Sequence, residues 1–435
     1  MAPQLSPEVR AGDRPTRVRY WVIVFAVTLA IVTYIDRVCI SQAAPAMARD
    51  LGLSEITMGY VFAAFAWGYA LFEIPGGYWG DRVGVRRVLM RVVIWWSFFT
   101  AATGWVWNSQ SLIVTRFLFG AGEAGCFPNL TKAFTVWLPR DERERAQGIM
   151  WMSARWGGAF TPLLVYQVLQ YVSWRRTFEI FGAVGVVWAV AFYYWYRDHP
   201  RDNPRLNAAE RALLPRADDV TLSEGRVPWA KFLRSGQVWL LCAQYFCLAY
   251  GWYFYITWLP TYLREGRGLE MGQSAWLSTL PLGLGGLGSL FCGFASARVT
   301  RWTGSVKITR RIMAVTGFAC ASLLLALSTW LQDPLLAMFV IGLASFSNDL
   351  VMPGSWGACM DMGGKYAGTL SGAMNMFSSI GGALSPIVIG YLLAWTGKNW
   401  DLTFYVSAAV YFMGAICWLF LDSATPIEVE SHLTE

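Results

Sequence analysis

Two stretches decide the architecture of this chain: Gly148–Pro162, GIMWMSARWGGAFTP, and Gly372–Pro386, GAMNMFSSIGGALSP. They align without a gap and share Gly, Met, Met, Gly, Gly, Ala and Pro, seven of fifteen positions. A weaker echo pairs GYWGDR (Gly77–Arg82) with GFASAR (Gly293–Arg298), so that Gly77 faces Gly293 and Arg82 faces Arg298. The matched segments recur in the same order and direction. The chain therefore reads as a parallel internal repeat, the sequence signature of a duplicated helical bundle.

Working outward, one long polar interval, residues 197–236, separates the two copies. Apolar stretches of about 20 residues or more, enough to cross a bilayer, lie at approximately 20–47, 56–80, 87–107, 111–138, 145–171 and 177–197 before it. Six more, at about 237–263, 273–297, 308–331, 334–360, 366–395 and 401–421, follow it. Of the 435 residues, 55% are hydrophobic, 16% aromatic and only 14% charged, against roughly 25% charged in a soluble domain. The expected fold is an all-α membrane protein, with twelve transmembrane helices in two six-helix bundles and a cavity between them. The expected divisions are a tail 1–19, a first bundle 20–197, a linker 198–236, a second bundle 237–421 and a tail 422–435.

The net charge of +7 invites nucleic acid as a partner, but the placement of the basic residues explains it otherwise. About 24 of the 35 lysines and arginines fall in segments that share one face if both termini are cytoplasmic, the positive-inside asymmetry. No nucleic acid is implied; the partner is membrane lipid, and a multi-pass protein of a bacterial inner membrane, acting as a monomer, is expected. The polar, basic N-terminal stretch lacks the small-residue cleavage site of a signal peptide. Eight scattered cysteines form no CxxC pattern. The two histidines, His199 and His432, lie in polar segments, and no nucleotide loop, metal cluster or nucleophile–base arrangement is present. Neither an enzyme nor a metal or organic cofactor is expected.

Charges inside the apolar stretches each need a reason, because one at the bilayer centre costs about 2.5 to 3.5 kcal/mol or more. With residues near the helix ends set aside, they are Asp36, Arg37, Glu73, Arg116, Glu123, Arg155 and Asp349. Asp36 lies about 16 residues into its helix, roughly 24 Å from the inner end, too deep to snorkel. Arg116 and Glu123 stand two turns apart on nearly one face, with Gly120 between them and further small residues around Glu123. Salt bridges that merely hold a bundle together are weak stability devices, because desolvation offsets attraction. A carboxylate poised between burial, which favours the neutral form, and an adjacent Arg, which favours the charged one, can instead take up and release a proton. Asp36 is expected to pair with Arg116, leaving Arg37 to face a bound anion.

GYWGDRVGVRR, Gly77–Arg87, resembles the signature of the major facilitator superfamily. The resemblance implies a conformational latch in Gly77, Asp81, Arg82, Gly84, Arg86 and Arg87. The glycines permit close helix approach, and Asp81 can accept charge-assisted bonds from Arg residues or from helix N-termini. Ala297 stands at the matching position of the second copy, so a symmetric second latch is not expected. YIDRVCIS on helix one, RFLFGAGEAGCFPN on helix four and GGALSPIVIGYL on helix eleven narrow the likeness to the anion:cation symporter family. That likeness implies proton coupling through Asp36, Glu123 and Arg116. It implies substrate contacts from Arg37, Tyr34, Tyr69, Ser355, Trp356 and Asn375. Arg155 departs from the sugar-acid members and suggests a grip on a second carboxylate; Glu73 departs too.

The implied function is proton-coupled symport of a small organic anion by alternating access, with the proton as coupling ion. The expected substrate is a sugar acid such as a hexuronate, aldarate or aldonate. A phthalate-like aromatic or dicarboxylic acid, and drug or metabolite efflux by proton antiport, are the alternatives.

Overall fold

In the computed structural model, which describes residues 14–214 and 227–427, the described residues form helices and no strands. The expected tail residues 1–13 and 428–435, His432 and the middle of the linker, 215–226, lie outside the described residues. The first copy comprises α1 (Trp21–Leu51), α2 (Glu55–Val83), α3 (Val85–Thr103), α4 (Ser109–Glu123), α5 (Cys126–Trp137), α6 (Arg140–Tyr171) and α7 (Trp174–Trp195). Short α8 (Ala208–Leu213) and α9 (Trp229–Arg234) follow. The second copy comprises α10 (Gly236–Thr257), α11 (Met271–Leu277), α12 (Thr279–Thr303), α13 (Val306–Ser328), α14 (Pro334–Asp349), α15 (Met352–Gly363), α16 (Ala367–Trp395) and α17 (Trp400–Phe420).

Six stretches meet a combined test of length and apolarity: 18–51, 174–195, 279–303, 306–328, 334–395 and 400–420. The sequence reading counts twelve. The difference has local causes: α2 carries Glu73, Asp81 and Arg82, α3 carries Arg86, Arg87 and Arg91, α4 breaks into α5, α6 carries charges at its start and Arg155, α10 is diluted by glutamine, tyrosine and tryptophan, and 334–395 is one apolar run that holds three helices. Large apolar side chains such as Trp67, Val187, Leu323 and Phe420 point outward and are exposed. That is a lipid-facing surface, and exposed tryptophans near helix ends (Trp79, Trp302, Trp107, Trp330) suit the membrane–water boundary.

The repeat is visible in the packing. Within the first copy α1 packs on α6, α2 on α4 and α3 on α7; within the second, α10 packs on α16, α12 on α14 and α13 on α17. The copies meet along α6 against α12 and α2 against α16, again equivalent positions. Small residues make this approach possible. A Cβ on Gly77 would stand 2.0 Å from the Gly368 carbonyl oxygen, and one on Gly148 would stand 2.6 Å from that of Ser289. The matched prolines Pro162 and Pro386 both sit inside helices, where each removes a backbone donor and loosens a turn.

Two helices break immediately after an acid. α4 ends at Glu123 and α14 at Asp349, each followed by two non-helical residues before the chain resumes as α5 or α15. These breaks position the site.

Candidate functional site

Between the two copies lies a small cavity of about 70 Å³. α1 contributes Tyr34 and Arg37, α2 Tyr69, and α6 Trp151 and Arg155. The second copy contributes Tyr245, Trp252 and Tyr253 from α10, and Asn375, Ser378 and Ser379 from α16. Of the residues expected to touch substrate, Tyr34, Arg37, Tyr69, Arg155 and Asn375 are in this wall.

Arg37 is the central cation. Its Nε donates to Oε1 of Glu123 in an ion pair. The guanidinium lies 4.4 Å from the Tyr69 ring and 5.3 Å from that of Phe65, within cation–π range. Its Nη2 and the Glu123 Oε2 have no hydrogen-bond partner among the described residues. A guanidinium beside a cavity with an unspent donor is equipped to take an oxyanion.

The pairing differs from the expected one. Asp36, one residue earlier and about 100° round the helix, points away from the cavity. It faces Trp96 and Thr100 of α3 and Arg116 of α4 without closing to hydrogen-bond geometry, and both its oxygens are buried and unpartnered among the described residues. Arg116 is buried behind the wall, 4.4 Å from the Phe119 ring and 5.2 Å from that of Phe65. The Asp36–Arg116 ion pair is therefore not formed. The helical spacing brought Arg116 to the right face but left its guanidinium to pack on aromatic rings.

Arg155 is also spoken for. Its Nε and Nη2 donate to the two oxygens of Asp349 at 2.9 and 3.1 Å, a bidentate pair that joins α6 to α14, with the Trp252 ring 4.1 Å from the guanidinium. Glu73, fully buried, accepts from Asn375 Nδ2 at 2.5 Å and from Ser379 Oγ at 3.3 Å, both on α16; Asn375 also donates to the Tyr69 hydroxyl at 3.2 Å.

Ser355 and Trp356 do not line the cavity, contrary to expectation. Ser355 donates to Gln244 and Val351, and Trp356 is enclosed: its Nε1 donates to the Tyr245 hydroxyl at 2.7 Å and its ring leans on Trp151. They stand one layer back because the break after Asp349 turns α15 behind the α10 wall, where Trp356 fixes two wall residues, Tyr245 and Trp151. Sequence reasoning missed Tyr245, Trp252 and Tyr253, which no motif marks, since an aromatic in an apolar helix suits a lipid face equally well; Trp151 had a signal, because the repeat aligns it with Asn375. Ser379 had a usable signal: it stands one turn from Asn375 on the repeated helix.

The expected latch residues lie at the end of the molecule that carries the helix α1 start and the α17 end. Asp81 accepts from the backbone N–H of Gly368 (3.0 Å) and Thr369 (2.6 Å) and from the Thr369 hydroxyl (2.7 Å), with Lys132 Nζ 3.5 Å away. A carboxylate of the first copy thus seats on the N-terminus of α16 of the second, a site made for anions. Gly84 turns with φ of +97° beside Asp198, which accepts from the Arg86 N–H, while the Arg86 side chain donates to the Tyr193 carbonyl. Arg82 donates to Tyr78, and Arg87 is exposed; among the described residues neither makes a bond between the copies.

Where Ala297 leaves the second copy without an equivalent of Asp81, a different crossing appears. Arg310 pairs with Glu144 of α6 (2.5 Å) and with Asp361 (2.8 Å), and Asp361 pairs back to Arg143 (3.0 Å). All four stand near helix ends, where a charge in the sequence needs no special reason. With both crossings in place, this face of the structure is closed.

Residues 26–386 match the profile of the Major Facilitator Superfamily. The chain is 34% identical over 95% of its length, and 96% of the other's, to the Probable sulfoacetate transporter SauU of Cupriavidus necator. It is 30% identical, covering 92% of this chain and 93% of the other, to the Probable galactarate/D-glucarate transporter GudP of Escherichia coli. The solved structure of the proton:xylose symporter XylE superposes with a TM-score of 0.72 at 14% identity, over 96% and 99% of the two chains. That last likeness concerns the fold alone.

Proposed function

Because the chain belongs to the Major Facilitator Superfamily, a transporter and not an enzyme, we propose that it carries a small organic anion together with protons by alternating access. The twelve helical runs are proposed to span the membrane as two six-helix bundles, residues 20–197 and 237–421, joined by the linker 198–236. The tails 1–19 and 422–435 are placed in the cytoplasm. The observation that carries the anion is Arg37, held at the cavity wall by Glu123 with a donor to spare. Relatives named for sulfoacetate and for galactarate and D-glucarate support the class.

In this reading Arg37 binds the carboxylate, and Tyr34, Tyr69, Asn375 and the Ser378–Ser379 pair hydrogen-bond hydroxyls. A polyhydroxylated sugar acid, an aldarate, aldonate or hexuronate, suits such a wall. Glu123 carries the coupled proton: protonating it releases Arg37 from its internal partner, and deprotonating it restores the pair and displaces the anion. Asp36 and Arg116, behind the wall, set the charge balance around Glu123. Asp81 on the α16 N-terminus acts as the latch of the closed face.

The test is uptake of labelled D-glucarate and sulfoacetate by proteoliposomes under an imposed proton gradient. Glu123→Gln is expected to abolish gradient-driven accumulation while sparing exchange of substrate for substrate, and Arg37→Gln to abolish both. Accumulation by Glu123→Gln at the wild-type level would overturn the assignment.

A further inference from the structure

A second buried carboxylate in the cavity region is not used by the reading above. Asp349 is fully buried at the end of α14 and holds both of its oxygens against Arg155, a cavity-wall cation from the other copy. It sits where the repeat would place a counterpart of Glu123. Each acid ends a helix just before a break, and each engages a guanidinium: Glu123 that of Arg37 from α1, Asp349 that of Arg155 from α6. The cavity therefore holds two arginines, each neutralised by an internal acid.

The Ser345 hydroxyl, one turn back on α14, is buried with no hydrogen-bond partner among the described residues. A Cβ on Gly285 would stand 2.8 Å from Ser345 Oγ and 2.8 Å from Asp349 Oδ2, so the two groups border one small space that the glycine leaves open. A carboxyl leaving Arg155 has a waiting partner and room to reach it.

We propose that Asp349 is an internal stand-in for a second anionic group of the substrate: a dianion displaces it from Arg155, and the displaced carboxyl takes a proton and turns to Ser345. This rests on the transport of an organic anion through the cavity at Arg37. It narrows that reading to small dicarboxylates, aldarates and sulfonate–carboxylates, with monoanions engaging Arg37 alone. Each dianion would then move with one more proton than a monoanion does. The proton comes from bulk solvent and resides on Asp349. The other titratable groups facing Asp349 are Arg155 from α6, Tyr245 and Tyr255 from α10 and Tyr411 from α17; α12 presents only Ser289 and glycine, and none of these is a competing carboxylate.

The experiment compares matched pairs, D-glucarate with D-gluconate and sulfoacetate with acetate, in proteoliposomes of the full chain across pH. Asp349→Asn removes the competitor. If Arg155 is free about one-tenth of the time at alkaline pH in the unaltered protein, the dianion KM falls by about tenfold there. The gain fades in acid, the monoanion KM stays within about twofold, and one proton per dianion is lost from the stoichiometry. Should Asp349→Asn fail to insert, Ser345→Ala serves instead: it is expected to raise the dianion KM about threefold or more and leave the monoanion unchanged. Equal effects on dianion and monoanion, or none on either, would overturn the proposal. If the unaltered protein accumulates neither member of any pair, it is the transport reading itself that fails, and this proposal with it.

Discussion

Replacing Asp81 by Asn tests the latch most directly. The carboxylate accepts three hydrogen bonds from the first residues of α16 and faces Lys132. Bonds to a charged group contribute about 1.5–3 kcal/mol each. Asn keeps one acceptor oxygen, turns an NH2 group toward N–H donors, and removes the charge that complements the helix N-terminus and Lys132. Crediting the loss of one to two such bonds, the closed face weakens by about 3 kcal/mol, which is about a hundredfold in its opening equilibrium at about 1.4 kcal/mol per decade. Amide hydrogen exchange over 364–372 reads that opening, because the Gly368 and Thr369 N–H groups are themselves the donors. Exchange there is expected to rise by about two decades, while Arg87→Gln, at an exposed position, leaves it unchanged. Protection within threefold of the unaltered protein would show that Asp81 does not hold the copies together.

Other consequences follow from the same geometry. Gly77→Val places a side chain where even a Cβ would be 2.0 Å from a backbone carbonyl, so crosslinking across the closed face at α2 and α16 should be lost although the helices remain. Glu144→Gln leaves Arg310 buried with one acid fewer, a loss of about 3–5 kcal/mol for a broken buried pair, visible as a lowered melting temperature. Trp356→Phe removes the bond that holds the Tyr245 hydroxyl; substrate KM should rise a few-fold with the maximal rate retained, whereas a direct contact would affect both. Glu210 sits in the linker. Burial pushes its carboxyl up, but the Thr16 hydroxyl, the N–H groups of Arg19 and Val18 and the Arg19 guanidinium outweigh this and hold it below the ordinary carboxylate range. A depressed carboxyl stabilises above its unfolded value, about 4.3, and that contribution is lost as pH falls through the folded value. Limited proteolysis of the linker should therefore accelerate below about pH 4 and be fast at neutral pH in Glu210→Gln.

Much of this arrangement is legible in the sequence, and the limits are physical. The repeat at Gly148 and Gly372 is readable because close helix packing demands the same small residues in both copies. The buried charges are readable because each one costs insertion energy and so stands out against the apolar background. What periodicity cannot give is partner choice. Asp36 and Arg37 differ by one residue, and the 100° between them decides which faces α3 and which reaches Glu123. Asp349 is recognisable as a buried acid, but its partner lies on a helix 194 residues away, beyond any local rule. Ser355 and Trp356 were misplaced for a related reason, since the break after Asp349 reorients everything that follows it.

The two acid–arginine units differ in one respect that bears on mechanism. Arg37 and Glu123 belong to the same copy, on α1 and α4, so a movement of one bundle against the other carries both together and leaves the pair intact. Arg155 and Asp349 belong to different copies, and any separation of α6 from α14 must part them. Parting a buried pair without compensation costs about 3–5 kcal/mol, enough to hold the bundles together at the level of the cavity. A proton on Asp349, or an anion on Arg155, removes that cost. The first unit can therefore sense the substrate in every conformation, whereas the second ties occupancy to movement. Asp349→Asn should accordingly make conformational exchange, followed by spin-label distances across the cavity, less dependent on added dianion, and Glu123→Gln should not.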